Sequence, residues 1–225
     1  MDYLPLIDHY CPAAIAAEVR EINYQDAEDF DFDYWIRRIY RYPPKCTEAV
    51  LGHIAETIPK NVDYELVDSY FFAVKHLKNA PSELIGSIRK ATLRVDITKV
   101  SAITFFPALI ALNIDIREEL EGKLYKSFPP NMHKKSTAWQ YAIYRGYFGD
   151  QEAWKDMAGY LRNHSYGHDV YLLLKGLFFL HRHPEVMKIM REYLDDPRDV
   201  MGANGPYSTV GKELRDDLEY LGKKK

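Results

Sequence analysis

Five glutamates recur through this chain at an almost constant interval: Glu48, Glu83, Glu118, Glu152 and Glu185, spaced 35, 35, 34 and 33 residues apart. Two positions after each stands an apolar residue: Val50, Ile85, Leu120, Trp154 and Met187. An acidic side chain in a first turn is favoured by the helix dipole, so each glutamate marks a helix start. Thr47 and Ser82 are the N-cap candidates one residue earlier. The helix before each glutamate repeats too. Phe32, Trp35, Ile36, Ile39 and Tyr42 shift by 35 onto Val67, Tyr70, Phe71, Val74 and Leu77, and again onto Ala102, Phe105, Phe106, Leu109 and Leu112. Within each set the spacing keeps one helical face apolar. A two-helix unit with a period in the low thirties cannot bury its apolar face alone and must stack on copies of itself.

The breaks predicted by turn chemistry are Pro43–Pro44, Asn79–Pro81, Asn113–Asp115, Gly149–Asp150 and His183–Pro184. Residues 166–197 read as one long apolar helix, a break at His183–Pro184, and a second helix with a one-sided stripe. Pro107 lies inside an otherwise good helix and is expected to kink it. The fold class that follows is all-α: a right-handed solenoid of about five helical hairpins with terminal capping helices. It is expected as a single domain over 1–225, with a cap at 1–28, repeats at 29–197 and a second cap at 198–225. In that last cap, residues 196–206 read as a polar loop and 207–221 as an amphipathic helix.

At this point the sequence resembles the HEAT-like helical repeat proteins of short unit. The residues that carry the resemblance are LLLKGLFFLHRHPEVMKIMREYLDDP at 172–197 and AIYRGYFGDQEAWKDMAGYL at 142–161. Tetratricopeptide units share the period, but their fixed glycine and alanine positions are not kept. The resemblance implies a shape and no particular chemistry.

Charge is uneven. Residues 1–35 hold nine acids against the single Arg20, while the whole chain carries a formal charge of −3. The acidic-aromatic stretch DAEDFDFDYW places Asp26, Glu28, Asp29, Asp31 and Asp33 as candidate partner-binding residues. Tyr141 and Tyr144, in a helix that also holds Tyr147, join them, because tyrosine is favoured in protein interfaces. The competing reading is a solvated acidic turn with the tyrosines packed between helices. Net acidity argues against nucleic acid, whose affinity rests on phosphate contacts. His164, His168, His181 and His183 lack the spacing of a zinc site and read as structural. Arg37, Arg38, Arg41 and Lys45 read as internal pairs of nearby acids. The two cysteines, Cys11 and Cys46, are expected to be reduced and inert in a cytoplasmic protein. No signal segment or membrane span is legible.

No nucleotide, hydrolase or zinc motif is present, and no cofactor is expected. The function expected is contact with another, basic protein, in one version an immunity-type inhibitor of a basic toxin such as a nuclease. The alternative is a DNA-binding enzyme. HEAT-like DNA glycosylases that remove alkylated bases resemble the chain in size and helix pairing; Trp139, Trp154 and Asp156 can be imagined in their base-binding roles, but no motif match carries those roles onto them.

Overall fold

Turn chemistry places the helix ends. A computed structural model describes residues 2–22, 36, 38–59, 62, 64–97, 100–119, 136–200 and 208–223. Their regular structure is helical apart from one short strand pair, so the all-α class holds. The helices are α1 (Leu4–Tyr10), α2 (Ala13–Arg20), α3 (Pro44–Thr57), α4 (Tyr64–Val74), α5 (Ser82–Arg94), α6 (Ala102–Ala111) and α7 (Ser136–Tyr147). They continue as α8 (Gln151–Asn163), α9 (Gly167–Lys175), α10 (Pro184–Glu192) and α11 (Val210–Lys223). The chain divides into two compact units: Met1–Met132 with Ser136–Tyr144, and His133–Lys135 with Arg145–Lys225.

In the first unit, α3 packs between α1 and α5, while α4 packs on α6. The repeated faces supply the cores. Tyr70, Phe71 and Val74 on α4, and Phe105, Phe106 and Leu109 on α6, are fully buried, as are Ile36 and Ile39 of the earlier set. Phe32 and Trp35 lie outside the described residues. An aromatic ladder runs from Phe71 to Phe105 (4.9 Å between centroids), then through Phe106 to Tyr141 (5.4 Å) and Tyr144 (5.1 Å). Polar ties cross between helices. The Tyr70 hydroxyl donates to Leu51 O (3.2 Å), and the Arg94 guanidinium donates to Glu56 O (3.1 Å) and Ala55 O. These last two bonds satisfy carbonyls at the end of α3, where a cation is favoured.

The ends of α6 and α7 show why the breaks were readable. Asn113 (φ 54°) and Gly149 (φ 99°) take the left-handed conformation that ends a helix. In each case the following N–H reaches five residues back, Ile114 to Leu109 O and Asp150 to Arg145 O. The residue's own N–H reaches three back, which makes a Schellman turn at both ends. Asp150 then caps α8 through the N–H groups of Glu152 and Ala153.

Two of the expected caps are corrected. Prolines 43 and 81 occupy the N-cap positions of α3 and α5. Thr47 is therefore already inside α3, where its hydroxyl donates to Ile39 O (2.8 Å), and Ser82 Oγ donates to Glu83. α6 runs through Pro107 to Ala111. The third marked position, Glu118, lies in a turn at 117–119, and the helix expected to open there lies outside the described residues.

In the second unit the long apolar helix is also corrected. α9 stops at Lys175, and Gly176 is followed by a 3-10 turn at Phe178–Leu180 before α10 begins at Pro184. Glycine is costly in a helix interior, and bonds from Leu177 to Leu174 O and from Leu180 to Leu177 O tighten the backbone there. α9 packs on α11, with the Tyr171 hydroxyl donating to Asp217 (2.7 Å). β1 (Asp199–Val200), in the expected loop, pairs antiparallel with β2 (Ser208–Thr209), which takes the place of the first residues of the expected last helix, so α11 starts at Val210. Arg198 anchors that pair. It grips Asp196 through Nε (3.0 Å) and donates to Leu161 O (2.9 Å) and His164 O at the end of α8.

Three carboxyls share one electrostatic pattern. Burial pushes Asp115, Asp150 and Asp196 upward, but donors on Arg117, on Arg145 with the α8 amides, and on Arg198 outweigh it and hold all three below the usual range. A carboxyl depressed in the folded state stabilises above its unfolded value, about 3.9, and loses that contribution as pH falls through the folded value. His53 and His76, lowered by burial, add an earlier loss that begins as pH falls through about 6.5. Asp68, raised by burial, works in the opposite direction. The urea midpoint should therefore decline gently below neutrality and steeply below pH ~4. Changing Asp115, Asp150 and Asp196 together to asparagine should flatten the steep part; an unaltered acid limb in that variant would contradict the assignment.

Candidate functional site

A cleft of about 330 Å³ opens in the first unit between α1 and the N-terminal turns of α3 and α5. Its existence starts with a glycine. A Cβ on Gly52 would lie 2.2 Å from the ring of Tyr3, so only glycine lets that ring lie flat on α3. Docked there, the Tyr3 hydroxyl meets Ser87 Oγ (3.1 Å), and Ser87 Oγ donates to the Glu56 carboxylate (2.6 Å). The serine has one proton and gives it to the carboxylate, so Tyr3 is the donor to Ser87. Burial raises the Tyr3 phenol, helped by the charges of Glu56 and Glu83 and opposed by the Ser87 bond. The phenol therefore stays protonated.

Leu6, Ala49 and Leu84 give the cleft an apolar lining, and Glu48 and Glu83 bring two carboxylates to it. Those two glutamates are the first two of the periodic set, and packing of α3 on α5 brings both to one lining. Lys45 is the only cation among the described residues of the lining; its Nζ sits 4.9 Å above the ring of Tyr10, which occupies it in a cation–π contact. The volume lies at the low end for ligand pockets, about 300–1,000 Å³. An apolar slot edged by carboxylates can take a side chain with an aliphatic stem and a cationic head.

Cys11 and Cys46 flank this wall and are joined in a disulfide, with Cα atoms 4.9 Å apart. The expectation of two reduced thiols is corrected. The two cysteines are 35 residues apart, the interval of the periodic glutamates, and lie on the packed helices' ends, at the bend after α1 and in the first turn of α3.

Of the residues expected to contact a partner, Asp26, Glu28, Asp29, Asp31 and Asp33 lie outside the described residues. Tyr141 and Tyr144 are corrected to a core role. They are 2% and 0% exposed, stacked on Phe106, and the Tyr144 hydroxyl accepts from the Ile116 N–H (2.9 Å). Tyr147, on the same helix, is half-buried.

The tryptophans imagined against DNA are buried as well. Trp139 is 6% exposed and Trp154 3%; the latter lies against Gly146 and stacks on His183 (5.2 Å), while Asp156 is exposed. The histidines have structural contacts: His164 faces Asp169 (3.4 Å), and His181 Nδ1 lies 2.8 Å from Phe178 O. Among the described residues no group of three or more metal-binding side chains occurs. None of the described helices is long and apolar enough to cross a membrane. Compared with protein-family models, curated proteins and solved structures, the chain finds no match.

Proposed function

We propose that this chain is a non-enzymatic protein-binding module on a HEAT-like helical-repeat scaffold, acting by surface contact with a basic partner. The observation that carries the reading is the cleft beneath α1, where Glu48 and Glu83 edge an apolar slot and Lys45 is engaged with Tyr10. The nine-to-one excess of acids in residues 1–35 adds a negative field on the same unit. Complementary charge of this kind speeds encounter and makes it salt-sensitive. The narrower form of the proposal is an immunity-type inhibitor that covers a basic toxin such as a nuclease. The glycosylase reading loses support because Trp139 and Trp154 are in the core. Placement in the cytoplasm loses the support it drew from free thiols, since disulfides persist in oxidising compartments.

Fluorescence anisotropy with a labelled oligoarginine peptide tests the reading, with oligoglutamate as the control. Oligoarginine should bind in a salt-dependent way. The Glu48→Gln/Glu83→Gln variant should weaken it about three- to tenfold, the range for two exposed charges. Asp29→Asn/Asp31→Asn/Asp33→Asn should weaken it as well. Equal affinity for both peptides, or affinity unchanged in both variants, would sink the proposal.

A further inference from the structure

The two half-cystines are not equivalent. Cys46 is fully buried, whereas Cys11, in the bend between α1 and α2, is partly exposed. Cys46 is also the third residue of α3, in a first turn whose leading N–H groups have no partner within the helix. The helix start favours a thiolate there and the apolar burial opposes one, so leaving-group stability does not choose between the two sulfurs. Access therefore selects Cys11 Sγ for attack.

We propose that Cys11 is a thiol-exchange site for small soluble thiols. A thiolate attacks Cys11 Sγ with its own electron pair and forms a mixed disulfide there. The pair of the Cys11–Cys46 bond leaves on Cys46 Sγ as a thiolate in the first turn of α3. A second thiol can then displace the adduct from Cys11. The net change oxidises two small thiols to their disulfide and leaves two protein thiols, each carrying one of the protons released. Alternatively, Cys46 attacks Cys11 again and restores the original bond, because the folded helices keep the two residues adjacent. The half-cystines directly follow Tyr10 and Lys45, so opening the bond releases the covalent tie between the two sides of the cleft wall. The exchange itself does not depend on what occupies the cleft.

Glutathione is a suitable probe. The folded, oxidised protein is exposed to reduced glutathione near neutral pH, quenched with acid, digested and mapped by mass spectrometry, with circular dichroism recorded in parallel. The adduct should fall on Cys11 at least tenfold more often than on Cys46, with the helical signal retained. Oxidised glutathione should modify Cys46→Ala in the native state but modify Cys11→Ala at least tenfold more slowly unless urea is added. An adduct mainly on Cys46 or shared equally, a bond that opens only as helix is lost, or equal labelling of the two variants would overturn the proposal.

Discussion

Phe106→Ala should lower the unfolding free energy by about 3–5 kcal/mol, the range for truncating a buried aromatic. Phe106 is fully enclosed and is the residue through which α6 meets α7. Removing its ring leaves a cavity lined by Phe105, Tyr141 and Tyr144, whose rings are held by neighbours on both sides and cannot all collapse into it. Tyr144→Phe tests the same region differently. It keeps the volume but removes the hydroxyl that accepts from the buried Ile116 N–H. The expected cost is about 1–3 kcal/mol, set by the orphaned donor. Urea midpoints with an unchanged slope would measure both. If Phe106→Ala costs less than Tyr144→Phe, the aromatic ladder is not the core of this unit.

The ladder also shows how far the sequence could be read. Apolar positions recurring every 35 residues identified Tyr70, Phe71, Phe105 and Phe106 as one packed face, and all four are fully buried. The period is a packing signal, and packing is what it located. Asn113 and Gly149 were readable for a separate reason: a left-handed residue at a helix end favours those two types. Tyr141 was misread because tyrosine suits both a core and an interface, and composition alone cannot choose. Its position one period after Phe106 was the deciding sign. Gly176 was passed over because a strong apolar run on either side hid the cost of glycine. The cleft depends on Tyr3 reaching Ser87 and Gly52, contacts whose sequence separations match no period, so no pattern announced it. Glu48 and Glu83 were singled out, but as helix starts; their shared place in one slot appears only when α1 covers the α3–α5 pair.

Replacing both cysteines by serine should cost roughly 4 kcal/mol, as the bond closes a loop of 35 residues and denies that freedom to the unfolded chain. Reducing the unmodified protein should give nearly the same loss, since both treatments remove the same constraint. α1 has non-covalent anchors of its own, Ile7 in the core and Tyr3 seated over Gly52. These keep the folded form close to the oxidised one, so the difference should appear mainly through the unfolded state: a lower urea midpoint with helical content preserved at zero urea. A midpoint that does not move would show that the constraint is not present in solution. The loop closed by the bond carries Asp26, Glu28, Asp29, Asp31 and Asp33. Its two ends are pinned beside the cleft that holds Glu48 and Glu83. Cutting the bond therefore leaves one end of an acidic segment held beside an acidic slot by non-covalent contacts alone. Comparing salt-dependent oligoarginine binding before and after reduction asks whether the two sets of carboxylates act on one partner together. Joint action should give weaker binding and a shallower salt slope in the reduced protein, and independent action should leave both unchanged.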